Sequence, residues 1–466
     1  MSKLSKRHRV RSSQGEARPF DGMRPINPQA AGVDIGAHEI MACVPDGDDQ
    51  QLVRAFGTYP ADLDAVADWF VDRGIQTAAM ESTGVYRIPL FETLAAHGLQ
   101  CCLISAQALK PVPGRKSDVL DCQWIQTLQS YGLLKASFRP DADFVALRTR
   151  LRHRAQLIEH RAPHLLHMQK ALLQLNLQLS QGLSDVMGAT GQRIIRAIVA
   201  GERDPRTLAA LRNYRCQKEV DEIALALTGP WRAEHLFVLT PALALCDFYT
   251  AQLSECDAQI ERTFSGLKPR FAPAPEKPVP VCPPPLPRRK PHSHSKNAPA
   301  VNTRAHLLRI TGVALVAGHG ISDSLAQTIL AEIGTDMHKW PDDKHFASWL
   351  GLAPKNDLSG GKVLKSRTMK NRNRAAQAFR RAAQSVLRAD CAFGAFYRRL
   401  KGRLGPAQAL VATAHKIART VYHMLKERVP SHDIGAAEYN RRFRERELKY
   451  LPQKAAKLGY KLSPAS

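Results

Sequence analysis

The chain has 466 residues, of which 44% are hydrophobic, and a formal charge of +25 from 67 lysines and arginines against 42 aspartates and glutamates. This length predicts two or three domains with sizeable cores. The positive charge makes a polyanion the expected partner, with an anionic membrane surface as the competing one. No uninterrupted run of about 18 apolar residues occurs, which argues against a transmembrane helix. The basic N-terminus also lacks the apolar stretch of a secretory signal.

The first 143 residues predict a basic, disordered arm (1–28) followed by a mixed α/β domain (29–143). The domain opens with a hairpin over Ala30–Val44, with Asp34 near the end of its first strand. A later buried strand, Ile75–Met80, is followed directly by Glu81. The other predicted elements are a helix over Pro60–Arg73, a helix over Tyr86–Ala96 and a strand over Gly98–Ile104.

Two acidic residues lie three positions apart in the next predicted helix, Asp118 and Asp121. Residues at i and i+3 share one helix face. One interpretation is a solvated acidic face capped by Ser117. The other is half of a metal site, because two carboxylates on one face repel each other unless a cation neutralises them.

Taken together, the four carboxylates favour the metal interpretation. Asp34 and Glu81 each end a strand, where they could meet the helix that carries Asp118 and Asp121. Oxygen ligands suit one or two Mg²⁺ ions, which support phosphodiester chemistry. The order of acids and strands indicates a nuclease core like those of RNase H and RuvC.

Residues 144–267 predict long, basic helices of coiled-coil type, with Pro163 expected to kink or break the first of them. Their basic face predicts either an ordinary solvated surface or a face for nucleic acid or a second subunit. The Pro-rich segment 268–303 predicts a linker or insertion.

The last predicted domain (304–428) is helical and is followed by a basic tail (429–466). It begins with a helix–turn–helix over Leu307–Gly334, whose turn could present N–H groups to a phosphate. We predict that Lys355–Arg374 is a basic loop. Its Ser359 is either incidental or functional, since the two glycines after it let the backbone approach a ligand closely. The expected phosphate-binding residues are Arg115, Lys116, Lys362, Lys365, Arg367, Lys370, Arg372 and Arg374.

Both ends of the chain resemble the DEDD-type insertion-sequence transposases that use a C-terminal serine and a bridge RNA. The N-terminal likeness lies in Gly-Val-Asp34-Ile-Gly, Met-Glu81-Ser-Thr-Gly-Val-Tyr and Gly-Arg-Lys-Ser-Asp118-Val-Leu-Asp121. The C-terminal likeness lies in Leu330-Ala-Glu-Ile-Gly, Phe346-Ala-Ser-Trp-Leu-Gly-Leu-Ala-Pro354, Ser359-Gly-Gly-Lys and Asn373-Arg-Ala-Ala-Gln-Ala. The chain departs from the family at Met369-Lys-Asn-Arg-Asn, where a Lys-x-Gly-Asn pattern is frequent.

This resemblance implies a RuvC-like domain, a helical coiled-coil region and a transposase domain. It implies that Asp34, Glu81, Asp118 and Asp121 hold Mg²⁺ and that Ser359 is the nucleophile. It also implies DNA partners (element ends and target), a structured guide RNA, and dimers that pair into tetramers. The setting it implies is the bacterial cytoplasm, at the nucleoid, with no membrane partner. Base pairing by the RNA would then choose the sequence.

Two other functions remain open on the sequence. A RuvC-like junction nuclease or DNA invertase without an RNA guide would use the same acids, with water as the nucleophile in the case of the nuclease. A non-catalytic basic scaffold would bind nucleic acid through its helices and tail. The charge of +25 fits all three functions, whereas the carboxylate set and Ser359 favour strand transfer.

Overall fold

A computed structural model of the protein describes residues 7–8, 23–47, 50–81, 84–104, 117–183, 185–270, 297–369 and 373–461. The chain divides into two compact units, Met1–Arg139 and Pro140–Ser466. The first unit contains a mixed sheet and the second is mostly helical. The predicted fold class, an α/β domain like those of RuvC and RNase H followed by helical regions, is confirmed.

The sheet of the first unit has the strand order β1-β4-β3-β2-β5-β6. Strands β2, β3 and β4 form an antiparallel meander, and β5 and β6 continue the sheet parallel to β2. The strands are β1 (Arg7–His8), β2 (Ala30–Ile35), β3 (Ile40–Pro45), β4 (Gln51–Phe56), β5 (Thr77–Glu81) and β6 (Gln100–Ile104). The helices are α1 (Pro60–Asp72), α2 (Arg87–Ala96) and α3 (Asp118–Ser130).

Both faces of this sheet are covered, as is usual where parallel strands are present. One face packs Val33 and Met80 against α1 and α2, through buried residues such as Phe70 and Leu94. The opposite face packs against α3, whose Cys122 and Ile125 are fully buried. The predicted elements of this domain are found within two residues of their expected ends. Two strands were not predicted, β4 and the short β1, which lies in the segment expected to be a disordered arm and pairs with β4.

The second unit contains thirteen helices and one β-hairpin among the described residues. The helices are α4 (Ala142–Gln174), α5 (Leu179–Gly182), α6 (Ala189–Val199), α7 (Pro205–Ala210), α8 (Val220–Ala226), α9 (Ala233–Gly266), α10 (Thr303–Thr311), α11 (Asp323–Ile333), α12 (Asp343–Trp349), α13 (Arg374–Ser385), α14 (Ala392–Leu404), α15 (Pro406–Glu427) and α16 (Gly435–Lys457). The hairpin strands are β7 (Pro354–Ser359) and β8 (Lys362–Thr368).

The long helices α4 and α9 pack against each other along their length, in antiparallel directions. The prediction that Pro163 would interrupt the first helix is wrong, because α4 is continuous through it. Pro163 is exposed, so solvent can satisfy the backbone carbonyl that loses its N–H partner. By length and composition α9 could cross a membrane, and no other helix among the described residues has this property.

Two further segments differ from the sequence prediction. The Lys355–Arg374 segment is largely a β-hairpin rather than a loop. Gly360 and Gly361 both have positive φ, 52° and 75°, as the tight turn between two hairpin strands requires. The segment expected to be a basic tail contains α16, which packs against α14 through the buried residues Ala436 and Tyr439.

A buried ion pair fastens α4 to α9. The Arg154 guanidinium donates to Asp257 Oδ1 at 2.5 Å and to Oδ2 at 3.1 Å, and both side chains are less than 10% exposed. We expect Asp257→Ala to lower the free energy of unfolding by about 3–5 kcal/mol, because it leaves a buried guanidinium without its carboxylate. Urea unfolding followed by circular dichroism measures this loss.

The matched control for this prediction is Asp247→Ala at the exposed Arg196–Asp247 pair, which also joins α9 to a neighbouring helix. Its cost should stay below about 1 kcal/mol. Equal losses in the two variants would contradict the structural role of the buried pair.

Candidate active site

Three aspartates meet at one edge of the sheet. Asp34 lies near the end of β2, and Asp118 and Asp121 lie in the first turn of α3. One carboxylate oxygen from each lies within 4.8 Å of the other two. Asp34 and Asp121 are partly buried and Asp118 is exposed, so the group is open to solvent on one side.

A close approach of α3 to β2 brings these aspartates together. A Cβ atom on Gly32 would lie 2.3 Å from both the Cys122 carbonyl oxygen and the Gln126 backbone nitrogen, so only glycine fits there. Gln126 Nε2 also donates to the Ala30 carbonyl oxygen at 3.2 Å. The backbone two residues before Asp34 therefore sets the depth at which α3 packs.

The start of α3 is fixed by Ser117. Its hydroxyl accepts a hydrogen bond from the Leu120 N–H at 3.3 Å, as an N-cap residue does. This cap places Asp118 and Asp121 in the first turn, where the positive end of the helix dipole stabilises negative charge. The capping role that the sequence suggested for Ser117 is thus confirmed, and it coexists with the aspartate cluster.

The arrangement shifts the pKa of Asp34. Burial raises the pKa of its carboxyl to about 6, helped by the negative charges of Asp118, then Glu81, then Asp121. A hydrogen bond from the Ile35 backbone acts weakly in the opposite direction. Near neutral pH the carboxylates therefore repel one another, and a bound cation would relieve that repulsion.

Glu81 lies beside the cluster without being one of its three members. It is the cross-strand neighbour of Asp34 in the parallel β2–β5 register. Its charge raises the pKa of Asp34, which shows that it is close. The three-residue group nevertheless contains only Asp34, Asp118 and Asp121.

The chemistry of the ligand set fits a hard divalent cation. All three grouped side chains offer carboxylate oxygens, which Mg²⁺ prefers and which also suit Ca²⁺ and Mn²⁺. Cys43 and Cys122 belong to a buried cluster between the sheet and α3, and burial raises the pKa of Cys43 well above its usual value. Neither thiol belongs to the three-residue group.

Ser359 lies at the tip of the hairpin, at the end of β7, directly opposite Lys362. Directly opposed residues and alternate residues share one face of an antiparallel pair. The β7–β8 register therefore gives Ser359 a strongly cationic face, which we call the serine face. It consists of Lys355, Asp357, Ser359, Lys362, Lys365 and Arg367.

The opposite face of the hairpin is polar and apolar without charge. Asn356 opposes Ser366 there, and Leu358 opposes Val363, with an irregularity in register beside Leu358. Nearly every residue of both strands is exposed. The hairpin thus exposes Ser359 and the cations of the serine face to solvent.

The other predicted phosphate-binding residues are distributed as follows. Arg374 is exposed and begins α13. Arg115, Lys116, Lys370 and Arg372 lie outside the described residues. The predicted turn before α11 is also present, and Ser322 caps that helix.

The structure adds residues that the sequence interpretation did not select. Gly32 and Gln126 set the packing of α3, and only a glycine in an otherwise apolar strand marked the first of them. The hairpin did have a sequence signal, because Gly360 and Gly361 separate two runs of alternating charged residues.

Two comparisons with known families agree with this architecture. Residues 31–177 match the family model of DEDD transposases of the IS110 type, described as a transposase. Residues 314–398 match the model described as the IS116/IS110/IS902 transposase family. No curated protein matches the chain.

The first match covers strands β2 to β6, α3 and the three aspartates, and the second covers the hairpin and Ser359. An acidic cluster on an RNase H-like sheet, combined with a separate transposase domain, defines a DNA transposase or recombinase. The chain thus carries both domains of the insertion-sequence transposases of the IS110 type.

The raised pKa of Asp34 predicts how stability depends on pH. A folded-state pKa of about 6, above the usual 3.8, means that Asp34 contributes stability below pH 4 that is lost as the pH rises through 6. We expect Asp34→Asn to raise the metal-free Tm by about 2–4 °C at pH 7.5 and to change it little at pH 4. Thermal unfolding with excess chelator measures both values.

The same variant separates repulsion from metal binding. Millimolar Mg²⁺ should raise the Tm of the unsubstituted protein at pH 7.5 and should raise that of Asp34→Asn much less. A lower metal-free Tm for Asp34→Asn at pH 7.5 would contradict the repulsion. An equal Mg²⁺-induced shift in both proteins would contradict Asp34 as a ligand.

Proposed function

We propose that this transposase cuts and rejoins DNA by Mg²⁺-dependent phosphodiester transfer in which Ser359 is the nucleophile. The observation that supports this most is the division of chemical groups between the two units. The first unit holds the clustered carboxylates. The second holds Ser359 on an exposed cationic face without a carboxylate cluster among its described residues.

The serine face suits an attack on a backbone phosphate. The Ser359 oxygen would form a bond to phosphorus while the bond to a deoxyribose oxygen breaks, and that oxygen leaves with a proton. Lys362, Lys365 and Arg367 would hold the phosphate oxygens and stabilise the charge that builds up on them. The product is a DNA strand joined to Ser359 through a phosphodiester.

Rejoining reverses this chemistry. A hydroxyl of a second DNA end attacks the phosphoserine, the new DNA phosphodiester forms, and the Ser359 hydroxyl is restored with a proton. The phosphodiester passes from DNA to the serine and back to DNA without hydrolysis, which suits an enzyme that must reseal DNA.

Asp34, Asp118 and Asp121, with Glu81 beside them, would hold one or two Mg²⁺ ions. When bound, Mg²⁺ activates an attacking oxygen and stabilises a leaving one in phosphodiester chemistry. The raised pKa of Asp34 supports this role, because a divalent cation compensates the repulsion that raises it. Bound metal would also keep Asp34 ionised at neutral pH.

We further propose that a structured RNA guides the reaction in the bacterial cytoplasm, at nucleoid DNA. The charge of +25 is larger than the number of phosphate contacts that one DNA duplex site requires. This surplus supports a second polyanion as a partner. The family resemblance supports subunits that pair as dimers and tetramers. In such an assembly the acidic cluster of one subunit would be completed by Ser359 of another.

A serine pair on the same hairpin tests the nucleophile. We expect Ser359→Ala to lower strand transfer by at least about 1,000-fold and to abolish any covalent protein–DNA species, because the attacking oxygen is lost. Ser366→Ala, on the opposite face of the same hairpin, should retain both. Strand transfer with element DNA and its flanking RNA, read on a denaturing gel, measures the two outcomes.

A junction nuclease that uses water predicts a different result. It would cut DNA without a covalent species, and Ser359→Ala would remain active. That outcome would refute the serine mechanism while leaving the metal site intact.

Mixed subunits test whether the site is shared. Asp121→Asn and Ser359→Ala proteins should each be inactive alone. Their mixture should recover a fraction of strand transfer, because some assemblies then pair an intact acidic cluster with an intact serine. Strand transfer across a range of mixing ratios measures this recovery, and none at any ratio would contradict a site shared between subunits.

A further inference from the structure

A cluster of cations and aromatic rings joins α14, α15 and α16, far along the chain from the acidic group. Lys416 Nζ lies 4.6 Å from the centroid of the Phe396 ring and 4.7 Å from that of Tyr439. The Arg399 guanidinium carbon lies 4.0 Å from the centroid of the Phe443 ring. Arg399 Nη2 also donates to the Tyr439 hydroxyl at 3.0 Å. The rings hold both cations close to each other.

The positive charge of this cluster is poorly compensated. Burial lowers the pKa of Lys416, and the charges of Arg399 and Arg446 lower it further, whereas only Asp433 acts in the opposite direction. Asp433 has other partners, since it accepts from the Ala392 N–H at 3.0 Å and lies 3.6 Å from His319 Nδ1. Partly buried cations that repel each other favour the binding of an anion.

One donor atom of the cluster also lacks a partner. Arg399 Nε is buried and makes no hydrogen bond to any of the described residues. The guanidinium is held instead by ring stacking and by its single bond to Tyr439. The cluster therefore combines excess charge with an unused donor.

The helix that leaves this cluster continues the positive charge into solvent. Arg441 and Arg442 of α16 are paired with Glu438, and Arg441 also with Glu445. Beyond them almost every residue of the helix is exposed. Five cations there have no carboxylate partner among the described residues: Arg444, Arg446, Lys449, Lys454 and Lys457.

We propose that Arg399, Lys416 and Arg446, together with the exposed part of α16, form a second nucleic-acid site that binds the backbone phosphates of duplex DNA. All of these residues lie after the segment matched to the transposase family. The exposed part of α16, residues 444–457, spans about 21 Å, which is more than half of one turn of B-DNA, about 34 Å. The major groove of B-DNA admits a helix, whereas that of A-form RNA does not.

Salt dependence of DNA binding by the full-length protein tests this site. The probe is a 34-base-pair duplex without element sequence, titrated at several salt concentrations in chelator. Lys416→Gln and Arg446→Gln should each reduce the slope of log K against log salt by about 0.9 and weaken binding about three- to tenfold at low salt. Arg446 is exposed and, among the residues that the structure describes, bonds only to the Arg442 carbonyl, so its substitution should leave the fold intact.

Two control variants distinguish a lost phosphate contact from a general loss of charge or a change in the fold. Arg206→Gln removes an exposed charge on α7, beside Asp221, and should leave the slope unchanged. Lys416→Arg keeps the charge and should bind DNA like the unsubstituted protein. If Lys416→Arg binds as weakly as Lys416→Gln, the cluster only holds α16 in place and the proposal is wrong.

The remaining outcomes are also decisive. Unchanged slopes in both Lys416→Gln and Arg446→Gln would exclude phosphate contacts at this site. A loss of affinity for a structured RNA of equal length, with duplex DNA binding unaffected, would overturn the assignment to DNA. A selective loss on duplex DNA is the result we expect.

Discussion

The repulsion among the carboxylates at the C-terminal ends of strands β2 and β5 is the constraint on which the rest of the first unit depends. Asp34 is partly buried beside Asp118, Glu81 and Asp121, and its pKa rises to about 6 as a result. A fold under no functional demand would separate such groups. Here Gly32 lets α3 pack more closely than any other residue would allow, and Ser117 fixes the first turn of that helix. The local structure thus holds negative charge together at a cost that a cation can offset.

In the proposed mechanism, the serine nucleophile and the acidic cluster come from different parts of the chain. A serine hydroxyl is a weak nucleophile unless a base or metal activates it. The serine face carries three lysines and one arginine, which can hold a phosphate, and a single carboxylate, Asp357. Among the described residues, the clustered carboxylates lie in the first unit and Ser359 lies in the second. In the proposed mechanism, this division would keep the protein from cutting DNA until both groups meet on a substrate.

The sequence predicted the parts of the site that depend on local pattern. Asp34 and Glu81 could be placed at strand ends, and Asp118 and Asp121 on a helix face, because strands and amphipathic helices have characteristic periods. The depth of packing was not predictable, since it depends on contacts between Gly32 and residues about 90 positions later. The interruption expected at Pro163 does not occur, because tertiary packing and solvent exposure outweigh the loss of one hydrogen bond. The strand β4 was missed because its polar residues dilute the alternating pattern.

The positive charge of the protein lies in more than one structural environment. A net charge of +25 is a property of composition and does not locate a partner. The structure divides the cations into groups with different neighbours. Those of the hairpin share a face with Ser359 and are exposed, as the proposed contact with a phosphate during chemistry requires. Lys416 and Arg399 are instead held against aromatic rings, with their positions fixed before any ligand arrives. A preformed cation site loses little side-chain entropy when it binds, so it suits lasting attachment to DNA rather than a transient step. An enzyme that holds DNA ends through cutting and rejoining needs both kinds of contact.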